Sequence, residues 1–323
     1  MPRKARLDLP GTLHHVMMRG IEGSHMFRDD EDRRAFIDRM HSLIKETGTR
    51  ILAWVLMDNH VHLLIISGPV GLSTFMRRLL TGYAYNFNRR HKRSGHLFQN
   101  RYKSIVCDRD SYLQELVRYI HLNPLRANVV KTLDELERYP WCGHRGLIRK
   151  AKDDWQEREF VLGFFGAKEK GAVKVYQEFM EAGKDQGHRP ELVGGGLIRS
   201  MGGWSRVLTL RKQGEAESFD DRILGAGDFV QDILTEADQR LARQIRARKK
   251  TGSISQWIKK RCKEYSICEA ELRSGSRRRA VSELRKEICL FLSKELGLPM
   301  AEIAREVGVG TTGVAMVIKR EGN

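Results

Sequence analysis

Two histidines separated by a single residue, His60 and His62, are the most distinctive chemical feature of this sequence. The apolar run 51–57 before them and the apolar residues after them predict two strands joined by a turn at Asp58-Asn59. Because side chains alternate along a strand, both imidazoles are expected on the same face of the sheet. Two neighbouring imidazoles can bind one metal ion, and the alternative is a pair of polar residues on a solvated face.

A tyrosine and an asparagine further along the chain supply the groups that the histidine pair lacks. Helical spacing predicts a helix from Ser111 to about Leu122, on which Tyr119 and the following Asn123 share one face. A tyrosine hydroxyl can attack a phosphate when a nearby cation stabilises the leaving oxygen, and an asparagine oxygen is a hard ligand suited to Mg²⁺ or Mn²⁺. The alternatives are a core tyrosine and an asparagine that caps the helix before Pro124.

Composition indicates a polyanionic partner. The chain of 323 residues carries 58 Lys and Arg against 41 Asp and Glu, which gives a formal net charge of +17. Such an excess favours nucleic acid, and no apolar run approaches the roughly 20 residues of a membrane-spanning helix. The N-terminus lacks the apolar segment of a signal peptide, and the 5 cysteines form no C-x-x-C pair. These features predict a reduced, cytoplasmic protein that associates with the nucleoid.

The elements around the candidate site predict an α+β fold. A strand within 11–19, a helix that ends at Gly48, the two strands around the turn, a helix from Leu72 and a strand over 97–106 follow one another. The order β-α-β-β-α-β is that of the ferredoxin-like fold, an antiparallel sheet with helices on one face.

Four motifs in this order resemble those of the REP-associated tyrosine transposases, single-tyrosine relatives of the HUH endonucleases. They are Thr12-Leu13-His14-His15-Val16, Asp58-Asn59-His60-Val61-His62, Gly95-His96-Leu97-Phe98-Gln99-Asn100-Arg101-Tyr102 and Arg118-Tyr119-Ile120-His121-Leu122-Asn123-Pro124. The resemblance covers roughly residues 8–145. It implies a ferredoxin-like catalytic domain that acts on single-stranded DNA folded into hairpins, such as repetitive extragenic palindromes.

The resemblance also implies the role of each site residue. His60 and His62 would bind the metal, Asn123 would be the third ligand and Tyr119 would be the nucleophile. Its attack would leave a 5′-phosphotyrosine and a free 3′-hydroxyl, so that another strand's 3′-hydroxyl could rejoin the DNA without ATP. Basic residues between the histidine pair and Tyr119 in the sequence are predicted to contact DNA, and they are Arg77, Arg78, Arg89, Arg90, Arg101 and Lys103.

The C-terminal part predicts a helix-turn-helix. A helix over 283–296 precedes two short helices, which are joined by a turn at Gly308-Val309-Gly310. Residues 254–320 resemble the DNA-binding domain of the bacterial chromosomal replication initiator. That resemblance implies duplex contacts at Thr311 and Thr312, with Arg277, Arg278 and Arg279 near the backbone. The alternative is a helical cap with no DNA role.

Three domains are therefore predicted: a catalytic domain over 1–146, a helical middle region and linker over 147–250, and a DNA-binding domain over 251–323. The leading hypothesis is a metal-dependent transposase that cleaves and rejoins hairpin DNA, with Mg²⁺ or Mn²⁺ as cofactor. Its partners would be single-stranded and hairpin DNA, and duplex DNA through the C-terminal domain. A monomer is favoured over a dimer. The alternatives are a regulator that grips hairpin DNA without cleaving it and a metallo-hydrolase that activates water.

Overall fold

A five-stranded sheet forms the centre of the fold in the computed structural model, which describes residues 6–150, 155–187, 189, 192, 220–251 and 253–320. The strands are β1 (Leu13–Arg19), β2 (Arg50–Met57), β3 (His60–Ile66), β4 (Lys103–Cys107) and β5 (Ile223–Leu224). Their order in the sheet is β2-β3-β1-β4-β5. The strands β1 to β4 pair antiparallel with one another, which confirms the predicted ferredoxin-like unit.

Two details of the sheet differ from the sequence prediction. The short β5 pairs in parallel with β4, and no sequence pattern indicated it. The strand predicted over 97–106 begins only at Lys103, because Phe98 instead makes an isolated bridge to Gly20. The sheet therefore gains a strand from a distant part of the chain and has a shorter fourth strand than expected.

One face of the sheet is covered by two long helices, α1 (Asp30–Thr47) and α2 (Leu72–Arg90). The Asp29 side chain accepts a hydrogen bond from Asp32 N at the start of α1, and Gly48, with φ of +68°, ends the helix. Apolar side chains of both helices pack on the alternate strand residues that face them. The members of this cluster include Val16, Phe36, Met40, Val61, Leu63, Phe75 and Leu79.

The opposite face is covered by six helices, from α3 (Arg109–His121) through α4 (Asn123–Arg126), α5 (Leu133–Arg138), α6 (His144–Ile148) and α7 (Arg158–Leu162) to α8 (Glu169–Ala182). Helix α3 lies next to β2 and β3, α7 contacts β2, and α8 contacts α3 where Arg118 Nη1 donates to Phe179 O at 3.2 Å. Buried residues beyond the predicted boundary at 146, such as Leu162 and Tyr176, belong to the same cluster as Leu116 and Leu64. The sheet is therefore buried on both faces.

The outer side of β2, at one edge of the sheet, is bonded to two later segments. Leu56 N donates to Trp141 O at 2.9 Å, Gly143 N donates to Trp54 O at 2.9 Å, and Glu157 N donates to Ile51 O at 2.8 Å. At the other edge, Val106 N and Asp108 N donate to the backbone at β5.

The C-terminal helices form a separate core. The preceding helix α9 (Gly227–Thr251) is not part of it, because its buried Val230 and Ile233 pack with Leu7 and Val106. The helices of the separate core are α10 (Ile254–Glu264), α11 (Glu269–Arg273), α12 (Arg279–Leu290), α13 (Met300–Val307) and α14 (Thr311–Arg320). The last two are joined by the predicted turn. Gly308 in this turn has φ of +68°, and a side chain at this position would clash with the Arg273 backbone. Helix α14 also touches α1, where Lys319 Nζ donates to Lys45 O at 3.5 Å. Over the described part of the chain, no helix has the length and apolar character needed to cross a membrane.

Candidate active site

The two histidines lie side by side on β3. His62 pairs with Met17 of β1 and Val55 of β2 in the antiparallel sheet, so its side chain and that of His60 alternate with the buried Val61. Their ring centroids are 5.3 Å apart, and both rings line the same cavity. The prediction that His60 and His62 share one face of the sheet is confirmed.

Tyr119 meets this pair from α3. The helix begins after Asp108, whose side chain accepts from Asp110 N, and its apolar residues pack on the sheet. The Tyr119 ring centroid lies 5.8 Å from that of His62 and 5.9 Å from that of His15. Tyr119 is 4% exposed. The structure thus brings the predicted nucleophile against the histidine face, with little of its ring open to solvent.

Asn123 follows one turn after Tyr119 and caps the helix end. Its amide nitrogen donates to Tyr119 O at 2.8 Å and to Ile120 O at 3.3 Å. Arg126 reinforces this end, since its Nη1 donates to Tyr119 O and its guanidinium lies 5.0 Å from the Tyr119 ring centroid. The amide nitrogen of Asn123 therefore has a capping role, and a metal contact would have to come from its oxygen.

Other tyrosines that could compete as the nucleophile lie elsewhere. The hydroxyl of Tyr83 donates to Met26 O at 2.6 Å on the opposite face of the sheet. Tyr85 is 65% exposed on α2, and Tyr112 sits near the start of α3, where burial raises the pKa of its hydroxyl. Of these four tyrosines, Tyr119 is the one with ring contacts to the histidine pair.

A basic cavity of about 420 Å³ opens beside the histidines. The predicted DNA contacts Arg101 and Lys103 line it together with Arg19, which the sequence analysis did not single out. Arg19 of β1 lies opposite His60 of β3 in the sheet, so this arginine is next to the histidine pair. A correct prediction of the β1–β3 pairing from the sequence would have located it. Three cations around one cavity suit a phosphate group.

His15 is a second residue of the site that sequence reasoning missed. It stands two residues before Met17, which pairs with His62, so it shares the face of the site. Its Nε2 atom lies 2.9 Å from His62 Nδ1, and the two rings are stacked with centroids 5.1 Å apart. Burial lowers the pKa of His15 to about 4, so this fully buried ring is neutral at neutral pH.

The remaining basic residues divide into exposed and paired groups. Arg77 and Arg89 are exposed on α2. Arg78 pairs with Glu46 at 2.5 Å, and Arg90 binds the carboxylates of Asp29, Glu31 and Asp32, so these two arginines hold α2 to α1. In the C-terminal part, the side chains of Arg277, Arg278, Arg279 and Thr312 are exposed and Thr311 is half-buried at the start of α14.

A bound cation fits the chemistry of the histidine pair. Burial, aided by the nearby Arg19, lowers the pKa of His60, and a metal ligand must be the neutral imidazole. Within the described ranges, no group of three or more His, Cys, Asp and Glu side chains could hold a metal ion. A site here would therefore combine the two imidazoles with ligands of another kind, such as the Asn123 oxygen, water or a DNA phosphate.

Comparisons with known proteins found a matching family model and a similar solved structure. Residues 11–123 match the family model described as IS200-like transposase. This range runs from just before β1 to Asn123, so it contains all four predicted site residues. A solved structure of a REP-associated tyrosine transposase bound to a REP hairpin is similar at 17% sequence identity and a TM-score of 0.40, over 46% of this chain and 87% of that chain. No curated protein matches the chain.

Proposed function

We propose that this protein is a metal-dependent transposase that cleaves and rejoins single-stranded, hairpin-containing DNA through a 5′-phosphotyrosine. The observation that carries the proposal is the packing of the Tyr119 ring 5.8 Å from the ring of His62, on the face that also presents His60. The match of residues 11–123 to IS200-like transposases supports the same activity.

His60 and His62 would hold the cation, with the Asn123 oxygen as the candidate third ligand. Mg²⁺ or Mn²⁺ is the expected ion, because phosphate oxygens and an amide oxygen complete a site that suits hard cations. When bound, the cation would polarise the scissile phosphate and stabilise charge on the leaving oxygen. Arg19, Arg101 and Lys103 would hold the DNA backbone in the cavity beside the pair.

The attack of Tyr119 would form one bond to phosphorus and break another. Its hydroxyl loses a proton and its oxygen attacks phosphorus, while the bond from phosphorus to the 3′-oxygen breaks and that oxygen gains a proton. In-line attack requires the tyrosine oxygen about 3–3.5 Å from phosphorus. Because Tyr119 is 4% exposed, DNA binding must open the packing around this ring before attack.

The C-terminal helices would bind duplex DNA beside the cleaved strand. Helix α14 presents Thr312 at its exposed N-terminal end, and Arg277, Arg278 and Arg279 are exposed at the start of α12. The formal net charge of the chain, +17, also favours DNA as a partner. Helix α14 would enter the major groove, and the three arginines would contact the backbone.

A denaturing gel with an end-labelled single-stranded hairpin, the full chain and Mg²⁺ tests the proposal. A protein–DNA adduct that survives denaturation is the expected result. Intact DNA would instead support a regulator that only grips hairpins, and cleavage without an adduct would support a hydrolase that activates water.

The metal site is tested with His62→Ala. We expect this variant to lose cleavage by a factor of 100 or more while hairpin affinity stays within a few-fold of the unmodified chain, because phosphate contacts dominate affinity. Asn86→Ala, on the exposed surface of α2, is the matched control. Undiminished cleavage by His62→Ala would remove the cation from the mechanism.

A further inference from the structure

Both histidines of the pair are hydrogen-bonded through Nδ1 to a neighbouring side chain. His60 Nδ1 lies 2.7 Å from Asn59 Oδ1, and His62 Nδ1 lies 2.9 Å from His15 Nε2. Each of these neighbours is in turn bonded to a backbone carbonyl. A carbonyl oxygen can only accept a hydrogen bond, so it fixes the direction of every bond in its chain.

For His60, the direction of the hydrogen bond to Asn59 follows directly from the Asn59 contacts. The Asn59 amide nitrogen donates to Gly23 O at 3.3 Å, which orients the amide so that Oδ1 faces His60. Because Oδ1 is an acceptor, the proton of the neutral His60 ring must be on Nδ1. The lone pair of this ring then lies on Nε2.

For His62, the direction of the hydrogen bond is derived in the same way, with the His15 ring between it and the backbone carbonyl. His15 Nδ1 lies 2.9 Å from Leu192 O, so His15 carries its proton on Nδ1 and donates it to that carbonyl. His15 is fully buried, and the neutral ring therefore has its lone pair on Nε2. His62 Nδ1 must donate to that lone pair, which again leaves the His62 lone pair on Nε2.

We propose that His15 and Asn59 are positioning residues that fix His62 and His60 in the Nδ1–H tautomer, so that both present Nε2 to one divalent cation. The inference rests on the proposed function, because it concerns the cation of the same site. Hydrogen-bonded partners behind a metal-binding histidine set its tautomer and ring orientation, and their loss typically weakens metal binding 10–100-fold. The orientation of His15 is itself set by its hydrogen bond to Leu192 O, from a distant segment of the chain.

The first measurement is the tautomer of each ring in the metal-free full chain. Two-bond ¹H–¹⁵N couplings, recorded on protein labelled with ¹⁵N-histidine, show which nitrogen carries the proton. We expect protons on Nδ1 of both His60 and His62. Free neutral histidine prefers the Nε2–H form, so finding that form for His62 would overturn the proposal.

The second measurement is the affinity for Mn²⁺ alone, by titration calorimetry. His15→Leu removes the acceptor, so we expect His62 to move to the Nε2–H form and Mn²⁺ binding to weaken about tenfold or more. His15→Gln keeps an acceptor at this place and should retain most of the affinity. Equal affinity for the folded His15→Leu chain and the unmodified chain would contradict the role of His15.

Asn59→Ala gives a test that does not depend on a fully buried substitution. Asn59 is half-buried in the β2–β3 turn, so this variant should fold, and its thermal unfolding checks that. We expect His60 to shift toward the Nε2–H form and Mn²⁺ affinity to fall, whereas Asn59→Asp should keep both. No change of tautomer in Asn59→Ala would contradict the proposal even if His15→Leu fails to fold.

These readouts separate this inference from the proposed function. Tautomers and Mn²⁺ affinity are measured without DNA. Nδ1–H tautomers in a chain that forms no DNA adduct would uphold the inference and refute the transposase. An adduct formed by a chain whose His62 carries its proton on Nε2 would do the reverse.

Discussion

The two faces of the sheet differ in chemistry although the same strands build them. The face under α1 and α2 is packed with aliphatic and aromatic side chains, and the buried hydroxyl of Tyr83 there bonds to the Met26 backbone. The face under α3 instead carries His15, His60 and His62 beside Tyr119. The buried residues of the apolar face all come from before Gly146, whereas the α3 face also needs buried residues from beyond it.

The difference shows how one sheet can combine stability with reactive groups. Buried histidines cost free energy unless their nitrogens are hydrogen-bonded. On the α3 face, the Nδ1 atoms of His15, His121 and His144 are bonded by groups brought in from distant segments, whereas His121 Nε2 has no hydrogen-bond partner among the residues that the structure describes. The hydroxyl of Tyr176 lies 2.8 Å from His121 Nδ1 and 2.6 Å from His144 Nδ1. The middle helices therefore complete the α3 face, and the apolar face needs no such help.

Truncation at Gly146 should have the largest effect, because it removes α7, α8 and the end of α6 from one cover of the sheet and leaves the buried residues of the other cover in place. Buried residues lost from the α3 face include Val161, Leu162, Phe165, Tyr176 and Met180. At about 1.5–3 kcal/mol for each buried side chain, the loss is comparable with the whole stability of a domain. We expect the shortened chain to show no cooperative thermal transition by circular dichroism.

A chain that ends at Thr251 is the control for that truncation. It keeps β5 and the middle helices and lacks the C-terminal helices, which pack around a core of their own. It should unfold cooperatively and still form an adduct with a short hairpin. A cooperative transition in the chain that ends at Gly146 would show that the first 146 residues are a self-sufficient domain, as the sequence alone predicted.

Tyr119→Phe should abolish the adduct while it leaves the fold intact. The change removes one oxygen and keeps the ring that packs against His15 and His62. If Tyr119 is the nucleophile, adduct formation on a denaturing gel falls below detection, and hairpin binding measured by fluorescence anisotropy stays within a few-fold.

Tyr112→Phe, on the same helix, is the matched control for Tyr119→Phe. The two residues are seven positions apart, which separates them by about 10 Å along the helix axis. We expect this variant to form the adduct at a normal rate. Mass spectrometry that mapped the DNA-linked peptide to Tyr112, or to any residue other than Tyr119, would refute the assignment.

Local patterns in the sequence predicted most of the apolar face and half of the α3 face. Strand alternation placed His60 and His62 together, and helix periodicity placed Tyr119 one turn before Asn123. His15 required the β1–β3 register, which depends on the whole sheet. The contacts of Tyr176 and Leu192 join segments more than 30 residues apart, and no spacing rule encodes such contacts.

The buried histidines of the α3 face should make stability depend on pH. Burial lowers the pKa of His144 from 6.5 to about 4 in the folded chain. Between these values the unfolded chain binds the proton more readily, so stability is full above about pH 6.5 and falls as the pH drops toward 4. For His144 alone the loss by pH 5 is roughly 2 kcal/mol.

His144→Asn tests this contribution, because asparagine keeps a polar atom near Tyr176 and cannot titrate in this range. Urea unfolding at pH 7 and pH 5 should show a smaller loss of stability for the variant than for the unmodified chain. The same loss in both would show that His144 is not the source of the acid sensitivity.

Tyr83→Phe should have the smallest effect, since it changes the apolar face by one hydroxyl. The variant loses the 2.6 Å bond to Met26 O, which costs about 1–2 kcal/mol of unfolding free energy and lowers the melting temperature by a few degrees. Cleavage of hairpin DNA should be unchanged. A loss of cleavage comparable to that of Tyr119→Phe would mean that the two faces are coupled in function.

The backbone hydrogen bonds along the outer side of β2 limit how two copies of the chain could associate. An unpaired edge strand invites a second molecule to add its own strand and continue the sheet. Here the groups Leu56 N, Trp54 O and Ile51 O are already bonded to later segments of the same chain. A dimer built by continuous β-pairing at this edge would first have to break these three hydrogen bonds, so strand addition at β2 is disfavoured.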